Sequence, residues 1–512
     1  FVKALQGFCS FWIVFDLYGV WPYGVFRKLG IPGPMPLPFI GTTFWLHYGR
    51  TNFDIACFKK YGKIWGIYDG RQPILAITDP ELIKIILMDI ITMVCSKTWF
   101  PPPPECVMQI HFSVFLKCLN TSIVTAEDEQ WKRIRTVLSP TFTSGKLKEM
   151  LPIIQNYVKN LSVLLQKKAD RDELVDVKEI LGAYSMDVIT STSFGINTDS
   201  INNPKDPFVQ QVKKLMTSSL LSPLFILSYV APWLKPLLEK MNLSIFSNES
   251  MEFFARSITK LKEKRAQGAE KLRFLGIRKW PPTFLSSLLH VGLTDSEILS
   301  QAIIFIFAGY ETVSSALSYL MYELAIQPDI QQKLQEEIEE VLPNKAPITY
   351  EALMQIEYLD MVLSETLRMH PGISRLQRVC KNTIELNGIT IPKGMAIVIP
   401  PVILHFNPEY WPEPERFRPE RYPLIFLWVF FIKYFQLFSK EVKEQINPYT
   451  YLPFGAGPRN CIGMRFAFLT MKAAVVSLMQ HFTFQPCKET QVRIRNGTGV
   501  LMKVSCRQLS GK

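Results

Sequence analysis

The sequence lacks any cluster of residues that would hold a metal through several side chains. Its nine cysteines are an odd number, none forms a C-x-x-C pair, and no cysteine–histidine group has the spacing of a zinc site. This pattern favours reduced, mostly buried thiols over a disulfide framework, and it argues against structural zinc.

The sequence also lacks concentrated positive charge. The chain carries 57 Lys and Arg against 45 Asp and Glu, a net charge of +12, yet no run of five or six basic residues occurs. We therefore expect no nucleic-acid partner, whereas the basic balance suits an acidic protein or a membrane surface. Neither a phosphate loop ending in GK[ST] nor a dinucleotide-binding fingerprint is present.

Apolar runs near the beginning of the chain are too short to span a membrane. The segment Phe8–Phe15 is apolar, but a span needs roughly 20 such residues. We interpret residues 1–21 either as the end of a truncated membrane anchor or as an amphipathic segment, and residues 22–41 as a basic, proline-rich linker. Residues 42–512 are predicted to form a single domain.

Helical patterns dominate that domain, and no internal repeat interrupts them. Thr294 and Glu297 fit a capping box, and the pattern then continues to Gln327, which gives a helix of roughly 50 Å at about 1.5 Å per residue. Its apolar centre predicts a place in the core. The segment Ile384–Ile391 predicts a β-hairpin. The expected fold class is mainly α (α+β), with small sheets.

Three motifs place polar residues in segments that otherwise have a buried character. Glu311 and Thr312 interrupt the long helix, which indicates either a small pocket beside it or a helix–helix contact with Thr312 bonded to its own turn. Glu365 and Arg368 are spaced i, i+3 and can pair on one helix face. Arg421 lies in a loop that either reaches this pair or remains solvated.

The fourth motif is the glycine-rich loop FGAGPRNCIG at 454–463. Cys461 has no neighbouring zinc ligand, and none of the six histidines marks it as a protease nucleophile. A thiolate metal ligand fits better, because the following helix N-terminus is expected to lower the pKa of this cysteine. Glycines allow a flat ligand to approach, and Arg459 can pair with a carboxylate. These features favour haem.

The order of the four motifs resembles that of the cytochrome P450 haem-thiolate monooxygenases, specifically family 3, subfamily A. The resemblance covers most of residues 22–491 and implies a P450 fold with a long central helix. It implies that Cys461 ligates the iron of haem b, that Phe454 packs beside the thiolate and that Thr312 with Glu311 steers protons. The other implied sites are propionate contacts at Trp131, Arg135, Arg378 and Arg459, a structural network of Glu365, Arg368 and Arg421, and a substrate pocket at Phe307 and Ala308.

The same resemblance implies a reaction and its setting. One oxygen atom would be inserted into a lipophilic substrate such as a steroid or drug, with electrons from NADPH delivered by a separate NADPH–cytochrome reductase. Cytochrome b5 is a further implied partner. The implied location is the cytosolic face of the endoplasmic reticulum membrane.

Some segments depart from the family pattern. They are 86–119, 271–293, an apolar insertion at 423–438, and 492–512, where we expect the terminal strand pair to be lost. No counterpart is evident for one further propionate arginine. An alternative hypothesis is therefore a catalytically impaired, haem-binding variant.

Overall fold

The computed structural model describes residues 19–42, 49–89, 119, 121–203, 205–216, 248–274, 292–421, 447–490 and 500–507. The α-helices are α1 (Val25–Lys28), α2 (Arg50–Tyr61), α3 (Pro80–Lys84), α4 (Asp128–Leu138), α5 (Ser144–Asp170), α6 (Val177–Phe194), α7 (Pro207–Met216), α8 (Asn248–Phe274), α9 (Asp295–Ile326), α10 (Pro328–Val341), α11 (Tyr350–Gln355), α12 (Glu357–Met369), α13 (Pro401–His405) and α14 (Met464–His481). The strands are β1 (Ile64–Asp69), β2 (Gln72–Ile77), β3 (Val175–Asp176), β4 (Leu376–Val379), β5 (Ile384–Leu386), β6 (Ile389–Ile391), β7 (Ala396–Ile399), β8 (Phe482–Pro486) and β9 (Leu501–Cys506). The predicted mainly α fold with small sheets is confirmed.

Helix α9 is the long helix that the sequence predicts. The capping box is present, since the Thr294 side chain accepts from the Glu297 N–H at 3.2 Å and the Glu297 carboxylate accepts from the Thr294 N–H at 3.0 Å. The helix is long and apolar enough to cross a membrane, but 67% of its most apolar window is buried within the protein. It contacts α6, α12 and α14, so it runs through the core.

Three small sheets surround the helices. One has the order β1-β2-β7-β4, another has the order β3-β9-β8, and β5 pairs with β6 as the predicted hairpin. The turn of that hairpin has positive φ at Asn387 (48°) and Gly388 (77°), which suits its tight two-residue connection.

The pairing of β9 near the end of the chain contradicts one expectation. We expected residues 492–512 to lack a terminal strand pair, yet β9 pairs antiparallel with β8 from Phe482↔Cys506 to Pro486↔Met502. The expectation was wrong because the alternating burial of β9 spans only six residues, too short a pattern to be separated from a loop in the sequence. The insertion at 423–438 and most of 86–119 and 271–293 lie outside the described residues, as do residues 1–18.

Candidate functional site

A cavity of about 270 Å³ lies beside the middle of α9. Its walls come from α4, α6, α9, β4 and the loop that precedes α14. Eight of the predicted site residues border it: Trp131, Arg135, Ala308, Thr312, Arg378, Phe454, Arg459 and Cys461. Residues separated by more than 300 positions in the sequence therefore meet at one site.

The loop that carries Cys461 is closed by a backbone hydrogen bond. The Cys461 N–H donates to the Phe454 carbonyl at 3.0 Å, and Gly455 and Gly457 adopt φ of 69° and 77°. A Cβ on Gly457 would come within 2.0 Å of the Leu87 carbonyl oxygen, so the loop requires glycine there. The loop thus holds Cys461 in one position at the cavity wall.

Cys461 has solvent-accessible surface and borders the cavity. Protein atoms nevertheless surround its thiol at longer range. Burial raises the pKa of its thiol, against the opposing effect of the Gly463 N–H, the Arg135 charge and the Met464 N–H. The N–H groups at the helix N-terminus lower this pKa as expected, but burial outweighs them and the net shift is upward. A thiolate at this position therefore needs a cation to stabilise it, as a bound metal does.

Three guanidinium groups border the same cavity. Arg135 donates to the backbone and side-chain oxygens of Asn460 at 2.9 and 2.8 Å. Arg459 donates to the Ala126 carbonyl at 3.0 Å and lies 4.4 Å from the centroid of the Trp131 ring. Arg378, on β4, is buried as well. Cations clustered at a buried cavity suit a ligand that carries carboxylates.

Glu365, Arg368 and Arg421 form the predicted network. Arg368 Nε and Nη2 lie 2.8 and 2.9 Å from the two Glu365 carboxylate oxygens, and Arg421 Nε lies 2.9 Å from Glu365 Oε1. Glu365 and Arg368 are fully buried, and the Arg418 N–H also donates to the carboxylate at 2.9 Å. The network therefore ties α12 to the loop that ends at Arg421.

His405 connects this network to the cysteine loop. Its Nδ1 donates to the Arg368 carbonyl at 2.9 Å, and its Nε2 accepts from the Leu452 N–H at 2.9 Å. Burial lowers the pKa of His405 to about 3, so the imidazole stays neutral and can accept at Nε2. Sequence reasoning missed this residue, because its partners lie 37 and 47 positions away.

Thr312 combines the two interpretations that the sequence left open. Its hydroxyl donates to the carbonyl of Ala308 in its own turn, yet both residues border the cavity. A Cβ on Gly309 would lie 2.6 Å from Ile189 Cγ1, so this glycine allows α6 and α9 to pack closely. The AGYET motif is thus both a helix contact and a cavity wall.

Glu311 and Phe307 lie elsewhere. Glu311 is not among the described residues that border the cavity, and its carboxylate lies 2.9 Å from Lys178 Nζ. The Ser315 hydroxyl, which does border the cavity, donates to Glu311 at 3.1 Å. Phe307 also does not border this cavity; it belongs to a buried apolar cluster with Ile303. Lys178 and Ser315 carried no signal that sequence reasoning used.

These residues fit a haem. A deep thiol lies at the wall, arginines suited to carboxylates lie around it, and apolar groups such as Phe305 and Phe454 border the same space. Among the described residues, no group of three or more His, Cys, Asp or Glu side chains could hold a bare metal ion. A single thiolate with a macrocycle that completes the coordination agrees with that finding.

Comparison with known proteins agrees with this geometry. The family model "Cytochrome P450" matches residues 31–510. Cytochrome P450 3A29 of Sus scrofa is 49% identical over 486 residues, which cover 94% of this chain and 91% of that protein. Cytochrome P450 3A9 of Rattus norvegicus is 50% identical over the same shares of both chains, and cytochrome P450 3A7 of Homo sapiens is 48% identical over 96% and 92%. The chain belongs to the cytochrome P450 family, among its 3A members, and is a haem-thiolate monooxygenase that uses oxygen and NADPH-derived electrons to oxidise lipophilic substrates such as steroids, drugs and other xenobiotics.

Proposed function

We propose that Cys461 ligates the haem iron in this chain and that Arg135, Arg378 and Arg459 bind the haem propionates. The proposal is supported by the shared cavity and by the closed loop that fixes the thiol. A bound haem would supply the chemistry that activates oxygen, and Cys461 would hold its iron through a thiolate. Trp131 positions Arg459 through its ring, 4.4 Å away, and Phe454 packs beside the thiol with its own ring 5.6 Å from that of Phe468.

Thr312 and Glu311 deliver protons in this proposal. Thr312 presents its hydroxyl at the cavity wall, whereas Glu311 reaches the cavity through the Ser315 hydroxyl. Lys178 holds Glu311 and Ser315 with distances of 2.9 and 2.6 Å. For a proton to pass to the cavity by this route, the Lys178 contact would be released, Glu311 would take up a proton from solvent, and the Ser315 hydroxyl would turn to accept that proton while it passes its own proton into the cavity.

The buried network has a structural role in this proposal. Glu365, Arg368 and Arg421 fix α12 against the loop that contains Arg421, and His405 connects Arg368 to Leu452, which lies just before the cysteine loop. Ala308 borders the substrate space directly. Phe307 supports the substrate space from the adjoining buried apolar cluster that contains Ile303.

The positive net charge and exposed apolar side chains support the proposed partners and location. The net charge of +12 suits an acidic redox partner, which we propose to be NADPH–cytochrome reductase, with cytochrome b5 as a second donor. Met35, within the basic, proline-rich segment at 22–41, is 84% exposed, and Trp21, just before that segment, is 83% exposed. Exposed apolar side chains beside positive charge suit an anionic membrane surface, here the cytosolic face of the endoplasmic reticulum. Residues 42–512 act as one haem-binding domain.

A reconstituted assay tests this function. The full chain, loaded with haem and combined with the reductase in phospholipid vesicles, should transfer one atom of isotopically labelled oxygen to a steroid when NADPH is added. Bound haem without labelled product would favour the impaired variant. The described residues supply no support for that variant, because the network and the cysteine loop are both assembled.

A further inference from the structure

One part of the cavity wall is polar and lies beyond Thr312 along α9. Ser315, Tyr319 and His370 border the cavity there, whereas the wall near Ala308 is apolar. Thr312, Ser315 and Tyr319 are spaced three and four residues apart and share one helix face. Tyr319 lies seven residues beyond Thr312, or roughly 10 Å along the helix axis.

His370, at the end of α12, is held in a fixed orientation at this position. Its Nε2 lies 2.8 Å from Glu323 Oε1, and its ring stacks on Tyr319 with centroids 4.3 Å apart and an interplanar angle of 5°. Glu323 is itself buried, and the Gln327 amide donates to its other oxygen at 3.0 Å. The imidazole is therefore pre-organised by a carboxylate at one edge and an aromatic ring on one face.

This arrangement sets the tautomer of His370. A carboxylate only accepts hydrogen bonds, so the proton of the neutral imidazole lies on Nε2 and Nδ1 is left as an acceptor. Within the part of the chain that the structure describes, Nδ1 has no hydrogen-bond partner, and the side chain keeps 23% of its surface accessible. In the neutral imidazole, Nδ1 is thus a hydrogen-bond acceptor to which no described residue donates.

We propose that His370 Nδ1 accepts a hydrogen bond from a hydroxyl group of the substrate. The preferred substrate class is a rigid lipophilic alcohol whose hydroxyl lies on the order of 10 Å from the atom that is oxidised, because His370 stacks on Tyr319 and the helical rise from Thr312 to Tyr319 is of that size. The inference rests on the proposed function, since it places the oxidised atom beside Thr312 and Cys461. His370 is a specificity-determining residue and takes no part in the oxidation itself.

Three matched ligands test this inference: a rigid polycyclic alcohol of that length, its methyl ether and its deoxy parent. Dissociation constants are measured by equilibrium dialysis on the haem-loaded chain. We expect the alcohol to bind roughly three- to tenfold more tightly than the ether, the range of one net hydrogen bond. His370→Phe, which can still stack on Tyr319, should abolish this preference and leave ether binding within about twofold.

Two further variants separate His370 from its neighbours. Tyr319→Phe removes the phenol hydroxyl but keeps the stacked ring, and it should retain the preference for the alcohol. Glu323→Met removes the group that fixes the imidazole, and it should reduce the preference even where His370→Phe fails to fold.

Three results would overturn the inference: equal binding of alcohol and ether to the unmodified chain, a preference that survives His370→Phe, or a preference that Tyr319→Phe abolishes. Failure of all three ligands to bind is a different result. It would contradict the lipophilic substrate site itself, and the inference would fall with it.

Discussion

Replacement of Arg421 by alanine tests the buried network most sharply. Glu365 is fully buried and its Oε1 accepts from Arg421 Nε at 2.9 Å, with the guanidinium 9% exposed. The variant leaves Glu365 with Arg368 as its only charged partner. Loss of one partner from a buried pair costs about 3–5 kcal/mol. Because Arg368 continues to neutralise the carboxylate, no uncompensated charge is left, and we expect a smaller loss of about 1.5–3 kcal/mol, the contribution of one hydrogen bond to a charged group.

Arg421 also donates to the carbonyls of Pro412, Glu413 and Arg416, at 2.7, 3.1 and 3.0 Å. These acceptors are near the surface, so water can replace the arginine and little further cost is expected. The measurement is the free energy of unfolding in urea, followed by loss of helical signal and by release of haem. We expect haem to be lost at a lower urea concentration, since His405 connects this network to Leu452 beside the cysteine loop.

Arg416→Ala is the matched control, because Arg416 pairs with Glu413 at 2.9 Å with its side chain 71% exposed. An exposed pair contributes less than about 1 kcal/mol. The reasoning would be refuted if the Arg421 and Arg416 variants unfolded at the same urea concentration. It would equally be refuted if the Arg421 variant lost stability but retained haem through the transition.

The remaining predictions concern helix packing and pH. Gly309→Ala should destabilise the fold by about 1–3 kcal/mol, because the new Cβ would lie 2.6 Å from Ile189 Cγ1; Gly145→Ala, which meets nothing within 4 Å, should cause no loss. Equal urea midpoints for the two variants would contradict the packing argument. His405 has a folded pKa of about 3 against 6.5 unfolded, so its contribution to stability is present above pH 6.5 and declines as the pH falls toward 3. His405→Gln should flatten that decline in urea unfolding measured between pH 5 and 7; an unchanged slope would show that another group causes it.

Features set by local pattern were predictable from the sequence. The capping box at Thr294, the hairpin at Asn387 and the i, i+3 pair of Glu365 and Arg368 each depend on residues close together in the chain. Their physics is complete within a few residues, so hydrogen-bonding and periodicity rules suffice.

Features that depend on contacts between distant parts of the chain were not predictable from the sequence. Lys178 meets Glu311 across 133 positions, and His405 meets Leu452 across 47. The sequence predicted that the helix N-terminus lowers the pKa of Cys461, but it could not predict that burial raises this pKa by more, because the depth of burial depends on the whole fold. The common lesson is that charge partners and desolvation come from tertiary packing.

The role of Cys461 is the central claim, and the carbon monoxide difference spectrum of the reduced protein tests it most directly. The haem-loaded chain should show the Soret band of a thiolate-ligated haem, and Cys461→Ala should lose that band. Cys506→Ala, which alters an exposed cysteine on β9, should keep it. A thiolate-type band that persists in the Cys461 variant would contradict the account.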